Sequence, residues 1–134
     1  MRFVPALILS LSLLSPLPAT AENADVRQVI RDQIAAFQSD DFAKAFTFAS
    51  PNIRRLFGTA ENFGTMVQRG YPMVWRPIAL NFLDQEESDG RAVQRIEVRD
   101  KSGATHVLDY LMVETETGWR IDGVFLRPPV DTGV

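Results

Sequence analysis

Apolar residues recur at spacings of three and four in the first half of the chain, and at every second position in the second half. From residue 25 to 39, Val26, Ile30, Gln33, Ile34 and Phe37 share one helical face. Asp25 with Gln28 resembles a capping box for this helix. Ser39-Asp40-Asp41 interrupts it, and a second helix carries Phe42, Ala45, Phe46 and Ala49. Ser50-Pro51 predicts a stop and a restart, with Ser50 as N-cap and Pro51 at the first helical position. A short turn through Ile53, Leu56 and Phe57 ends at Gly58. A third helix over 60–69 buries Phe63, Met66 and Val67, closes at Gly70 and is barred from continuing by Pro72.

After Pro72 the period changes to two. Alternation predicts strands over 77–85, 91–100, 105–115 and 119–127, with a short extra strand at 73–76. Ser88-Asp89-Gly90, Lys101-Ser102-Gly103 and Glu116-Thr117-Gly118 supply the turns of an antiparallel meander. In the third strand Leu108, Tyr110 and Met112 face one way and Val107, Leu111 and Val113 the other. In the fourth, strict alternation sets Trp119, Ile121 and Phe125 against Val124 and Leu126. Helices cover one side of such a sheet. A second copy of the chain, giving a homodimer through the sheet, is the simplest cover for the other.

Helical phenylalanines at 37, 42, 46, 48, 57 and 63 form the expected core. Truncating Phe37 or Phe46 to alanine is expected to cost about 3–5 kcal/mol.

The first residues read differently. Arg2, the apolar run 3–14, and Ala19-Thr20-Ala21 after Pro16 and Pro18 form the pattern of a signal peptide over 1–21, cut before Glu22. A single domain over 22–127 follows, with a loose tail over 128–134. The run is too short for a membrane span, so membrane contact is expected only during export to the periplasm or medium.

The chain has 134 residues, enough for one core. It has no cysteine, which excludes disulfides, thiol catalysis and a lipid-modified cysteine. One histidine excludes a multi-histidine metal centre. Fourteen basic against 17 acidic side chains argue against a nucleic-acid partner. Glycine-rich phosphate loops, nucleophile elbows and dinucleotide fingerprints are absent, so no cofactor or metal is expected.

Helices followed by a meander, ending Gly118-Trp119-Arg120-Ile121-Asp122-Gly123-Val124, resemble the NTF2-like (cystatin-like) superfamily. That resemblance implies an α+β cone, with N-terminal helices packed on a curved four-stranded antiparallel sheet. The chain also resembles a family of small exported bacterial proteins, domain of unknown function 4864. The matching stretches are Gln33-Ile34-Ala35-Ala36-Phe37-Gln38 with Asp40-Asp41, then Ala45-Phe46-Thr47-Phe48-Ala49-Ser50-Pro51. Phe63, Met66-Val67, Gly70-Tyr71-Pro72, Gln94, Tyr110 and the Trp119 segment complete the match. The family implies a fold and an export route, and no activity.

Some proteins of the superfamily are enzymes, and such chemistry needs an acid or base inside the cone. The polar residues expected on the inner face are Gln33, Gln94, His106 and Tyr110, with Tyr71 and Trp75 at the rim. Gln33, Gln94, Tyr110, Tyr71 and Trp75 are the candidate ligand-binding residues. Gln33 and Gln94 either line the pocket or bond each other or a loop backbone. His106, just after a turn, is expected to be an exposed edge residue. Asp84 and Glu114 are the carboxylates nearest the inner face, both near strand ends. No catalytic residue is assigned. The preferred reading is a non-enzymatic exported domain that binds a small ligand or a protein. The alternative is a cofactor-free isomerase, dehydratase or hydrolase using the cone. A pocket plugged by Phe37, Phe46 and Met112 would indicate a partner protein, an open one a ligand.

Overall fold

Asn23 starts the first helix. Its side-chain oxygen accepts from the backbone N–H groups of Asp25 (3.0 Å) and Val26 (3.4 Å), satisfying two donors that the helix leaves free. The cap is therefore two residues earlier than the box expected at Asp25, which lies in the first helical turn. The computed structural model describes residues 2–5 and 22–128. The expected signal peptide and the tail beyond Pro128 otherwise lie outside the described residues.

Helix α1 (Ala24–Gln38) is followed by α2 (Phe42–Thr47), α3 (Pro51–Phe57), α4 (Ala60–Gly70) and α5 (Pro72–Trp75). Strands β1 (Ala79–Ser88), β2 (Arg91–Arg99), β3 (Thr105–Thr115) and β4 (Gly118–Leu126) then form one antiparallel sheet in chain order. The extra strand expected at 73–76 is instead the short helix α5. As expected, α4 closes at Gly70 and does not continue past Pro72; Pro72 also opens α5, in the first helical turn, where a missing N–H costs no bond.

Ser50 caps α3 as expected, accepting from Ile53 N at 3.2 Å. The linker before it is stitched to the sheet. Ile121 N donates to Phe48 O and Ser50 N to Ile121 O, both at 2.8 Å, a parallel bridge between Ala49 and Ile121. This bridge seats α3 over the β4 edge. Gly64 of α4 faces the Phe42 ring so closely that a Cβ there would lie 2.6 Å from Cδ1, so only glycine lets the two helices approach. The β1–β2 hairpin turns at Asp89 and Gly90, both at positive φ (48° and 74°), as a two-residue connection requires.

Alternation along the sheet holds except at two bulges. In β1 the register shifts between Phe82 and Gln85; in β4 it shifts opposite Leu111 and Met112, and Asp122 is the extra residue. The β4 bulge corrects the alternation expected for that strand. Trp119 and Ile121 are buried on the inner face, but beyond Asp122 it is Val124 that pairs with buried Tyr110, while Phe125 pairs with Asp109.

The inner face of the sheet (Ala92, Ile96, Val98, Leu108, Met112, Trp119) meets α1 through Val26, Ile30, Ile34 and Phe37 to form the core. The outer face is mixed. Arg95 donates to Asp109 at 2.9 Å, and Arg127 to its second oxygen at the same distance. Burial pushes the Asp109 carboxyl up, but the two arginines outweigh it and hold it below its usual value.

Candidate functional site

A cavity of about 280 Å³ opens between the helices and the β3–β4 end of the sheet. Its floor is Phe37 and Val67, with Tyr110 from the sheet. Ile53, Leu56 and Phe57, at one-turn spacing on α3, form the outer wall. Leu56 is 72% exposed, an apolar lip at the mouth. Gly123, Val124 and Phe125, beyond the β4 bulge, close the opposite side. The cavity is thus walled mainly by hydrocarbon and aromatic groups.

Its polar groups are few. Gln33 is buried; its Nε2 donates to the Ala45 carbonyl at 3.1 Å, and its oxygen takes no hydrogen bond among the described residues. Tyr71 caps α4 and donates its hydroxyl to Val124 O at 3.2 Å. Tyr110 is 1% exposed, and its hydroxyl is buried without any hydrogen-bond partner among the described residues. Burial first, and the field of Tyr71 second, push the Tyr110 phenol far above its ordinary range, so it stays protonated. An orphaned buried hydroxyl is uncommon, because leaving such a group unmade costs about 1–3 kcal/mol.

Three of the candidate residues, Gln33, Tyr71 and Tyr110, therefore come together at the cavity. Gln94 and Trp75 do not. Gln94 is fully buried in β2, but its Nε2 donates to the carbonyls of Leu83 (3.1 Å), Asp84 (3.4 Å) and Arg95 (2.8 Å). Its Oε1 accepts from Gln85, which in turn bonds the Asn23 backbone. Gln94 holds the β1 bulge and ties it to the α1 cap, and it does not line the cavity. Trp75 donates Nε1 to Asp40 at 3.0 Å and lies under the Arg76 guanidinium, 4.7 Å from its ring centroid, away from the cavity. His106 is half-buried rather than exposed. Its Nε2 lies 2.7 Å from Asp100 Oδ2, and that bond, with one from Ser102, holds the Asp100 carboxyl well below its usual range.

Asp122 was not among the carboxylates expected near the inner face, yet it lines the cavity while Asp84 and Glu114 do not. Its Oδ1 accepts from Ser50 Oγ at 2.6 Å. The bulge is the reason, since the extra residue breaks the two-residue period. The available signal was Gly123, a glycine inside a strand pattern, which marks bulges. Of Phe37, Phe46 and Met112, the three side chains whose plug would indicate a partner protein, only Phe37 lines the cavity.

No curated protein matches the chain by sequence. Solved structures match by fold. A SEC-C motif containing protein from Rhodopseudomonas palustris is 15% identical, over 75% of this chain and 77% of that one, with a TM-score of 0.58. An NTF2 variant is 18% identical over 80% of this chain and 100% of that one, with a TM-score of 0.56. An NTF-2 like protein of unknown function from Shewanella oneidensis MR-1 is 18% identical over 76% of this chain and 95% of that one, with a TM-score of 0.52. At these identities the likeness concerns the fold, which is NTF2-like. Residues 19–133, spanning the helices, the sheet and every side chain of the cavity, match one family throughout, and the chain belongs to it: the domain of unknown function DUF4864.

Proposed function

We propose that this chain is an exported, non-enzymatic binding domain whose ligand is small and mainly apolar. The observation that carries this is the open apolar cavity with Leu56 exposed at its mouth. Water in such a space finds few partners, so an apolar guest gains the burial energy of its own surface and of the lining, about 25 cal/mol per Å². The enzymatic alternative has less support. Asp122 is the one carboxylate on the cavity wall among the described residues, and its Oδ1 is engaged by Ser50.

Blocking the cavity tests the reading. N-phenyl-1-naphthylamine, a neutral apolar dye, should brighten on binding the wild-type protein. Ile53→Trp projects a larger ring into the same space from a half-buried position of α3 and should weaken dye binding about tenfold or more, which corresponds to about 1.4 kcal/mol. Equal dye binding by a folded Ile53→Trp variant, or no binding by the wild type, overturns the proposal.

Export and pairing belong to the same reading. The leader pattern over 1–21 supports export to the periplasm or medium. Val93, Val107, Leu111 and Val113 on the helix-free face of the sheet support a homodimer. Native mass spectrometry of protein taken from its own compartment reads both. The expected species is a dimer of chains beginning at Glu22, carrying a small ligand. A chain beginning at Met1 defeats the export proposal, and a monomer at micromolar concentration defeats the dimer.

A further inference from the structure

The geometry points to an uncharged ligand with one hydrogen-bond acceptor, such as a ketone or ester carbonyl, received by the Tyr110 hydroxyl at the inner end of the cavity. This rests on the binding reading above and narrows it to a chemical class.

The charge of the ligand follows from the wall. Among the described residues, no lysine, arginine or histidine lines the cavity, and Asp122 is its single carboxylic acid. A carboxylate or phosphate drawn inside would lose its water without meeting a cation, and would face Asp122 as well. A cationic head would have to compete with Ser50 for an oxygen that already accepts a 2.6 Å bond. A neutral guest incurs neither cost.

The acceptor follows from the orphaned group. The other polar side chains of the site are already engaged as donors. Gln33 gives one of its two amide hydrogens to Ala45 O, Tyr71 its hydroxyl hydrogen to Val124 O, and Ser50 its hydroxyl hydrogen to Asp122. The Tyr110 hydroxyl is the buried side-chain group of the site that makes no hydrogen bond at all among the described residues, and it is too buried for the phenol to ionise. A phenol shares its lone pairs with the ring and donates better than it accepts. A guest carbonyl placed there removes the penalty of the unmade bond, so its selection over an isosteric hydrocarbon is larger than an exposed bond would give.

A matched pair of probes tests this, 4-phenyl-2-butanone against n-butylbenzene, each displacing N-phenyl-1-naphthylamine. The ratio of the two affinities in wild type is compared with that in Tyr110→Phe, which removes only the hydroxyl. The ketone's advantage should fall about tenfold in the variant. In Tyr71→Phe, whose hydroxyl is already committed, the ratio should stay unchanged. Wild type offers a second readout, independent of any variant's folding: the carbonyl stretch of the bound ketone should fall to lower frequency than in a hydrocarbon solvent. An unchanged ratio in Tyr110→Phe, or a bound carbonyl with its hydrocarbon-solvent frequency, overturns the inference while leaving the apolar-binding reading intact. Binding of the dye with displacement by neither probe overturns the inference too. Failure of the dye itself to bind removes both.

Discussion

Phe63→Ala should be among the most destabilising single substitutions in this chain, costing about 3–5 kcal/mol. Phe63 is 5% exposed and meets three other rings: Phe46 at 5.3 Å, Phe57 at 5.8 Å and Phe37 at 5.9 Å between centroids. It thereby joins α1, α2, α3 and α4 in one contact. Tilted and edge-on pairs of this kind contribute beyond their buried area, about 0.5–1.5 kcal/mol each. Truncation removes the ring and leaves a hole that opens into an existing cavity, so little of the lost packing can be recovered by collapse. A domain of this size has about 5–15 kcal/mol in total. The denaturant midpoint should therefore drop steeply. Phe46→Ala provides the contrast. Phe46 is half-buried, so its truncation should cost less than the 3–5 kcal/mol that spacing alone suggests. A Phe63→Ala midpoint equal to or higher than that of Phe46→Ala would show that the ring cluster does not anchor the helices.

The difference between those two phenylalanines marks how much of the fold is legible in the sequence. Periodicity identifies a face, and α1 carries Val26, Ile30, Ile34 and Phe37 inward as their spacing implies. Turn chemistry is equally local, so Asp89-Gly90 places its hairpin correctly. Caps depend on a few atoms, and competition between neighbours decides them. Asn23 wins over Asp25 because its backbone is also held from β1 through Gln85. The same holds for α5, where Pro72 is compatible with either a break or a first turn. The two bulges are further from reach. Each is a mismatch between two strands, and the residue that stabilises one of them, Gln94, lies on the partner strand. Gln94 and Gln33 look alike in the sequence, as amides on apolar faces. What separates them is the supply of nearby carbonyls: Gln94 meets three and Gln33 one. The cavity is a matter of volume rather than pattern, since the same apolar side chains can fill a space or surround it.

Gln94→Glu should destabilise the fold by about 3–5 kcal/mol at neutral pH, although the two side chains have nearly the same shape. Gln94 is 0% exposed, and its Nε2 faces three carbonyl oxygens within 3.4 Å. Replacing that nitrogen by a carboxylate oxygen turns three attractions into three repulsions and buries a charge that no cation compensates. The remaining oxygen still accepts from Gln85, so the link to the α1 cap is preserved and the loss is confined to the bulge. The sign of the pH dependence separates this from a packing defect. Burial raises the introduced carboxyl above its unfolded value, so between the two values the folded state holds more protons than the unfolded one. Stability of the variant relative to wild type then falls as pH rises through that window and recovers as pH is lowered below it. Gln94→Ala also strands the carbonyls, at a cost of about 1–3 kcal/mol for each group left unmade, but its deficit should not vary with pH. Urea denaturation of the variants and wild type at pH 7 and pH 4.5 makes the comparison. A Gln94→Glu variant as stable as wild type at pH 7 would mean that the bulge is held by the backbone alone, and that Gln94 is free to turn elsewhere.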